Sequence, residues 1–201
     1  MAPKKNNNAL IIFIKNPVKG RVKTRLAKDA DEDYALKVYL ELQNYTRDVS
    51  LKTDATRYLY YSSHIQGVDL WDPLLFNKRL QSNGDLGERM RNAFAEILTF
   101  HEKVIIIGSD CIQLDSEILN SAFVLLDEYD IVLGPAIDGG YYLLGVKEYP
   151  PDIFTSMPWS TGMVLDKTIE RILKAGKSCR LLQELSDIDY LEDWERYGYE
   201  L

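Results

Sequence analysis

Apolar residues fall along this chain in two patterns. Short uninterrupted runs, bounded by turn or charged residues, occur at Ala9–Ile14 (ALIIFI), Tyr58–Tyr61 (YLYY), Val104–Ile107 (VIII), Ile131–Leu133 (IVL), Tyr141–Val146 (YYLLGV) and Ser178–Leu182 (SCRLL). Runs without polar alternation predict strands covered on both faces. Between them, apolar positions recur every three or four residues, as amphipathic helices require. Asp33–Ser50 carries Leu36, Tyr39, Leu42, Tyr45 and Val49, and Leu86–Phe100 carries Met90, Phe94, Ile97 and Leu98. Asp115–Glu128, Thr161–Ala175 and Tyr190–Tyr197 complete the set, with Asp85, Asp115 and Ser160 as candidate N-caps. Alternating strands and helices predict a three-layer α/β/α sandwich on a mostly parallel mixed sheet. Residues 9–201 read as one domain, behind a disordered basic tail at residues 1–8.

In such sheets ligands bind beyond the carboxyl ends of the strands, so chemistry is sought just after each apolar run. Four strand ends and one helix start are unusual. The first run leads into Lys15-Asn16-Pro17-Val18-Lys19-Gly20-Arg21-Val22-Lys23-Thr24-Arg25, where five of eleven residues are cationic. Pro17 and Gly20 mark an irregular loop, which can wrap a pyrophosphate with side chains and backbone N–H groups. Lys23-Thr24 resembles the end of a phosphate-binding P-loop, but Pro17 and Val22 stand where that motif needs glycine. A solvated basic turn is the alternative.

The third run ends in Gly108-Ser109-Asp110, and an aspartate there suits a hard divalent cation or caps its own turn. The fourth leads to Asp138-Gly139-Gly140, a turn signal that also suits close backbone approach to a ligand. The last leads to Asp187-Ile188-Asp189, whose carboxylates share a face on an extended segment and could complete a metal site with Asp110. Asp189 with Glu192 also reads as a capping box. Gly84-Asp85 opens a helix beside Gln81, Gly87 and Arg89, which could border a nucleotide.

Composition narrows the function. Residues 1–28 hold eight Lys or Arg and no acid, while the net charge of the whole chain is −7. That asymmetry points to a local anion site and argues against a nucleic-acid surface. No run is long enough to span a bilayer, and the start lacks the apolar core of a signal peptide, so a cytoplasmic location is expected. Cys111 and Cys179 form no CxxC pair and are expected as buried thiols. His64 and His101 share no ligand spacing.

Taken in order, KNPVKGRVKTRLA, GDLGERM, GSD, GPAIDGGYYLLGV and DIDYLEDW resemble bacterial glycosyltransferases of the arsenosugar-biosynthesis type, within the nucleotide-diphospho-sugar transferase superfamily. Nucleotidyltransferases are more distant relatives. The resemblance runs from Ala9 to Trp194 and implies a GT-A-like fold. It implies nucleotide binding by Lys15, Gly20, Lys23, Thr24 and Arg25, joined by Gly84 and Asp85. It implies Mg²⁺ or Mn²⁺ on Asp110 and Asp189 with Asp187 beside them, and a sugar or acceptor side at Asp138, Gly139 and Gly140. Ile112 stands where relatives often have proline, and Tyr190 where they often have threonine.

The expected activity is metal-dependent glycosyl transfer from a nucleotide-diphosphate sugar to a small-molecule acceptor. Lys23 and Arg25 would stabilise the leaving group and Asp138 would serve as base. Nucleotidyl transfer from a triphosphate to a phosphorylated small molecule uses the same parts, and a non-catalytic nucleotide-binding module is the third reading.

Overall fold

A computed structural model describes residues 7–149 and 152–201; most of the N-terminal tail lies outside them. The chain order is β1 (Asn8–Ile14), α1 (Leu26–Asp29), α2 (Glu32–Leu51), β2 (Thr56–Tyr61), β3 (Asn77–Leu80), α3 (Leu86–Ile97) and β4 (Lys103–Ile107). It continues α4 (Ser116–Glu128), β5 (Ile131–Pro135), β6 (Tyr141–Val146), α5 (Val164–Lys174), β7 (Cys179–Leu181) and α6 (Leu191–Tyr197). The seven strands form one sheet in the order β3-β2-β1-β4-β6-β5-β7. All neighbours are parallel except β6, which runs against β4 and β5. A five-residue turn joins β5 to β6, and so short a link can only make an antiparallel pair.

The uninterrupted apolar runs follow from burial on both faces. Leu10, Ile12 and Ile14 of β1 pack in one cluster with Leu119, Phe123 and Leu126 of α4. Their neighbours Ala9 and Ile11 pack in another, with Met90, Phe94 and Ile97 of α3 and Ile172 of α5. A third cluster, Leu26, Val38, Leu42, Ile188 and Trp194, ties α1, α2 and α6 together beside the carboxyl ends of the strands. It carries Ile112 as well, so that departure from the family pattern fills an apolar position.

Asp115 and Asp85 cap their helices as expected: Asp115 accepts from Ile118 N–H at 2.8 Å, and Asp85 forms a full capping box with Glu88. Three local expectations are corrected. Ser160 does not cap α5, because the chain turns through Ser160 at φ +62° and the helix starts only at Val164. Glu192 does not close a box with Asp189. Asp193 accepts from the N–H groups of Asp189 and Tyr190 instead, at 2.9 and 2.8 Å. Cys111 is buried, whereas Cys179 lies at an edge strand and is only partly so.

Candidate active site

The basic loop is fixed at its first residue. Tyr39 on α2 accepts from Lys15 N–H at 2.8 Å and donates to Lys15 O at 2.9 Å, while Gln43 donates to the same carbonyl at 3.1 Å. Burial, with the charge of Asp110 nearby, pushes the Tyr39 hydroxyl up to about 12, so it stays protonated as a donor. Asn16 is buried. Its carbonyl accepts from Ser63 N–H and Ser63 Oγ and its amide donates to His64 O, which joins the loop to the end of β2. Gly20 sits at φ +73° in a turn closed by Arg21 N–H on Val18 O. A positive φ at the third position of a turn is what selects glycine there.

Asp110 and the segment carrying Asp187 and Asp189 are zipped together by Ile188 N–H on Asp110 O at 2.8 Å and Ser186 N–H on the Gln113 side chain at 2.9 Å. Between them sits Lys23. Its side chain is 4% exposed, and its ammonium lies 2.6 Å from Asp110 Oδ1 and 3.7 Å from Asp189 Oδ1. Arg25 holds the other oxygen of Asp189 at 2.9 Å, with its guanidinium 5.6 Å above the Tyr190 ring. Asp187 lies deeper. Burial first, then the charge of Asp110, raises its carboxyl to about 7, against the pull of Lys23. Cys111, beside them, is raised to about 12 by burial and Asp187, which makes it a poor nucleophile.

These groups share a cleft of about 1210 Å³. Ligand sites span roughly 300–1,000 Å³, so this open cleft is at least as large as a usual ligand site. Lys15, Lys23, Thr24, Arg25, Asp85, Asp110, Asp138, Asp187 and Asp189 all line it. Gly20 and Gly84 are not among the lining residues. Both have positive φ (+73° and +111°), and a Cβ there would meet Glu32 and Glu88, so each glycine serves its turn. Asp85 lines the cleft with its carboxylate engaged in the helix cap. The lining also includes Asn16, Arg21, Tyr39, Arg89 and Trp159; Arg21 is one of the five loop cations and Arg89 flanks the start of α3, whereas Asn16, Tyr39 and Trp159 carry no site signal in the sequence. Tyr39 reads in sequence as an ordinary core position of a helix.

Among the described residues, Lys15 and Arg21 form no ion pair within 4 Å, whereas Lys23 and Arg25 do. Among the described residues, the cleft cations free of ion pairs are therefore Lys15 and Arg21 of the loop and Arg89 of α3, whose guanidinium donates to Gln81 and to the Asp85 carbonyl. The expected three-aspartate metal site takes a different form. Among the described residues no group of three or more His, Cys, Asp or Glu side chains is disposed to hold a metal ion. Two carboxylates, Asp110 and Asp189, instead converge on an ammonium. That donor set still suits Mg²⁺ or Mn²⁺, since such ions commonly take one or two carboxylates and fill the rest of the shell with phosphate oxygens and water.

Asp138 stands in the β5–β6 turn, exposed, with one oxygen accepting from Gly140 N–H at 2.8 Å. The paired glycines here differ: Gly140 lines the cleft, whereas Gly139 is required by a backbone contact. Gly139 has φ +84°, and a Cβ on it would lie 2.3 Å from Gly162 O. The turn is thus pressed against the segment leading into α5, where Leu165 N–H donates to Gly139 O at 2.9 Å. Gly139→Ala should lower stability by about 2–3 kcal/mol, from the left-handed conformation and the backbone overlap together. Gly140→Ala, where φ is not positive and the new Cβ would meet only the Asp138 carboxylate at 3.1 Å, should cost less than about 1 kcal/mol. Urea unfolding of the two variants checks this; equal losses would refute the backbone account.

Residues 45–161, more than half of the sequence, match the family described as "Uncharacterized protein conserved in bacteria (DUF2064)". The chain belongs to this family. The matched region of this DUF2064 member holds Asp85, Asp110 and Asp138; the basic loop and Asp187 and Asp189 lie outside it. No curated protein matches the sequence. Among solved structures, a "putative nucleotide-diphospho-sugar transferase" from Desulfovibrio desulfuricans G20 superposes with a TM-score of 0.86 at 28% identity, covering 92% of this chain and 83% of its own. The inositol-1-phosphate CTP transferase from T. maritima has a TM-score of 0.60 at 15% identity, covering 94% and 92%. Rv0371c from Mycobacterium tuberculosis H37Rv, in complex with manganese, has a TM-score of 0.53 at 16% identity, covering 96% and 98%. The last two share the fold. The first two are named as transferases.

Proposed function

We propose that this DUF2064 protein is a metal-dependent glycosyltransferase using a nucleotide-diphosphate sugar. The observation that carries the reading is the convergence, at the carboxyl ends of β1 and β4, of unpaired cations (Lys15, Arg21) and paired aspartates (Asp110, Asp189) in one cleft. Breaking a sugar–phosphate bond leaves negative charge on a diphosphate. Lys15 and Arg21 would bind that diphosphate, and Lys23 and Arg25 would stabilise the charge as it grows. Asp110 and Asp189 would hold Mg²⁺ or Mn²⁺, which when bound neutralises part of the same charge. Asp138 has one oxygen committed to Gly140 and a second left to take a proton from the acceptor hydroxyl. The likeness to the Desulfovibrio protein supports this reading. The narrower arsenosugar-type branch rests on the motif resemblance alone.

A second reading, nucleotidyl transfer from a nucleoside triphosphate, is favoured by the fold shared with the CTP transferase. Pyrophosphate leaves in that reaction, and the same cations serve. The two are separated by thermal unfolding against nucleotides and nucleotide sugars with Mn²⁺, followed by product analysis. Saturating ligand should raise the melting temperature by roughly 5–10 °C. Lys15→Ala and Arg21→Ala should each weaken binding by about tenfold. Release of nucleoside diphosphate from a sugar donor supports glycosyl transfer, and release of inorganic pyrophosphate supports nucleotidyl transfer. No shift with any nucleotide at millimolar concentration would remove both.

A further inference from the structure

Lys23 is an unusual residue in three respects. It is one of three non-glycine residues with positive φ among the described ones, at +46°. Its side chain is 4% exposed despite its charge. And its ammonium, 2.6 Å from Asp110 and 3.7 Å from Asp189, lies between the two carboxylates best suited to a divalent cation. A strained backbone that delivers a buried cation to one spot marks a position where the surrounding structure requires that cation. The ammonium and a divalent ion would draw on the same oxygens, and their like charges repel at such range.

From this geometry we propose that Lys23 is a tethered stand-in for the metal. The ammonium and Mn²⁺ or Mg²⁺ compete for Asp110 and Asp189, and an arriving polyphosphate draws Lys23 onto its own oxygens and opens the carboxylates to the metal. Metal and nucleotide therefore bind as a coupled pair. The inference rests on the reading of Asp110 and Asp189 as metal ligands. It has a structural basis beyond that reading. Among the described residues no third carboxylate joins Asp110 and Asp189 in a group disposed to hold a metal, although Asp187 lies nearby, so phosphate oxygens would complete the metal's shell. Arg25 holds Asp189 from the opposite side and is itself stacked on Tyr190, so the carboxylate need not move when Lys23 leaves.

The test measures free Mn²⁺ by electron paramagnetic resonance with the full chain, alone and with inorganic pyrophosphate. Wild type should bind Mn²⁺ weakly alone and at least about tenfold more tightly with pyrophosphate, as coupled sites do. Lys23→Asn removes the ammonium while tolerating the left-handed backbone. It should bind Mn²⁺ alone about tenfold more tightly than wild type and gain less from pyrophosphate. Lys23→Arg keeps a cation on the tether and should stay close to wild type. Lys23→Met, which keeps the packed stem, carries the same expectation as Lys23→Asn should the latter not fold. An affinity in the Asn or Met variant no tighter than wild type, with binding still lost in Asp110→Asn, overturns the competition and leaves the metal reading intact. Absence of any Asp110-dependent Mn²⁺ binding, even with pyrophosphate, overturns both.

Discussion

Asp110→Ala should lower turnover by about a thousandfold while donor affinity falls by only about tenfold, the factor by which metal and polyphosphate are coupled. The split follows from geometry. Lys15 and Arg21, which make no ion pair with the aspartates, remain to bind the diphosphate in the ground state. The variant loses the carboxylate nearest the Lys23 ammonium, and with it one of the two oxygen donors assigned to the metal. Interactions that strengthen as charge develops typically account for about 10²–10³ each in turnover, and loss of a metal adds to that. Asp110→Asn should be nearly as poor, because a neutral amide cannot balance a divalent charge. The fold should survive both changes. The Asp110 side chain is 43% exposed and Asp189 still faces Lys23, so solvent screening holds the stability loss to about 1 kcal/mol. Steady-state release of nucleoside diphosphate, at saturating donor and over a donor titration, gives both numbers. Turnover within tenfold of wild type would take Asp110 out of the chemistry.

How far this site is legible in the sequence depends on the range of the interactions that build it. The capping of α3 and α4 by Asp85 and Asp115 is local: a side chain meets an N–H three residues on, so the pattern carries its own evidence. The buried strands are legible because both faces of β1 and β4 are covered, which leaves runs such as ALIIFI and VIII without polar interruption. β3 leaves no such trace. Its sequence, NKRL, lies at the sheet edge with no residue buried, and what makes it a strand is its parallel ladder to β2. At the other extreme, the capping box read into Asp189 and Glu192 had the right form one residue out of place. The carboxylate that caps is Asp193, which leaves Asp189 to Lys23 and Arg25.

The cleft itself shows the same division. Every aspartate singled out at a strand end lines it, since the ends of parallel strands converge on one edge whatever the details. Pairing within the cleft was out of reach. Lys23 and Asp110 are far apart in the chain, and nothing local says that this lysine rather than Lys15 turns inward. The glycines divide in the same way, since a turn's need for positive φ is local and what a side chain there would meet is not. Gly20, Gly84 and Gly139 all have positive φ, yet what each would strike on gaining a side chain is protein: Glu32, Glu88 and the backbone of Gly162.

Lys78→Met should destabilise the fold by about 3–5 kcal/mol and lower the melting temperature by roughly 6–20 °C, although Lys78 stands on the edge strand. Its ammonium is 2.7 Å from Asp69 Oδ1, and the two side chains are only 9% and 10% exposed. It also donates to Gln66 O at 3.0 Å. Asp69 takes two further donors, the Tyr61 hydroxyl and Trp71 N–H, and Trp71 is buried edge-on against Phe76. One carboxylate therefore anchors the long connection between β2 and β3, and a lysine from β3 neutralises it. Removing that lysine leaves a buried charge without its partner, the situation in which breaking a pair is most costly. The double variant Lys78→Met with Asp69→Asn should recover part of the loss. Its amide still accepts from Tyr61 or Trp71 and carries no charge to strand, so the two changes should be non-additive. The consequence reaches the cleft, because the anchored connection begins at Ser62 and Ser63, and Ser63 holds Asn16 at the base of the basic loop. Nucleotide affinity should therefore fall in Lys78→Met and return in the double variant. A melting temperature within 2 °C of wild type in the single variant would mean that solvent reaches Asp69 and that the anchor lies in the packing of Trp71 and Phe76.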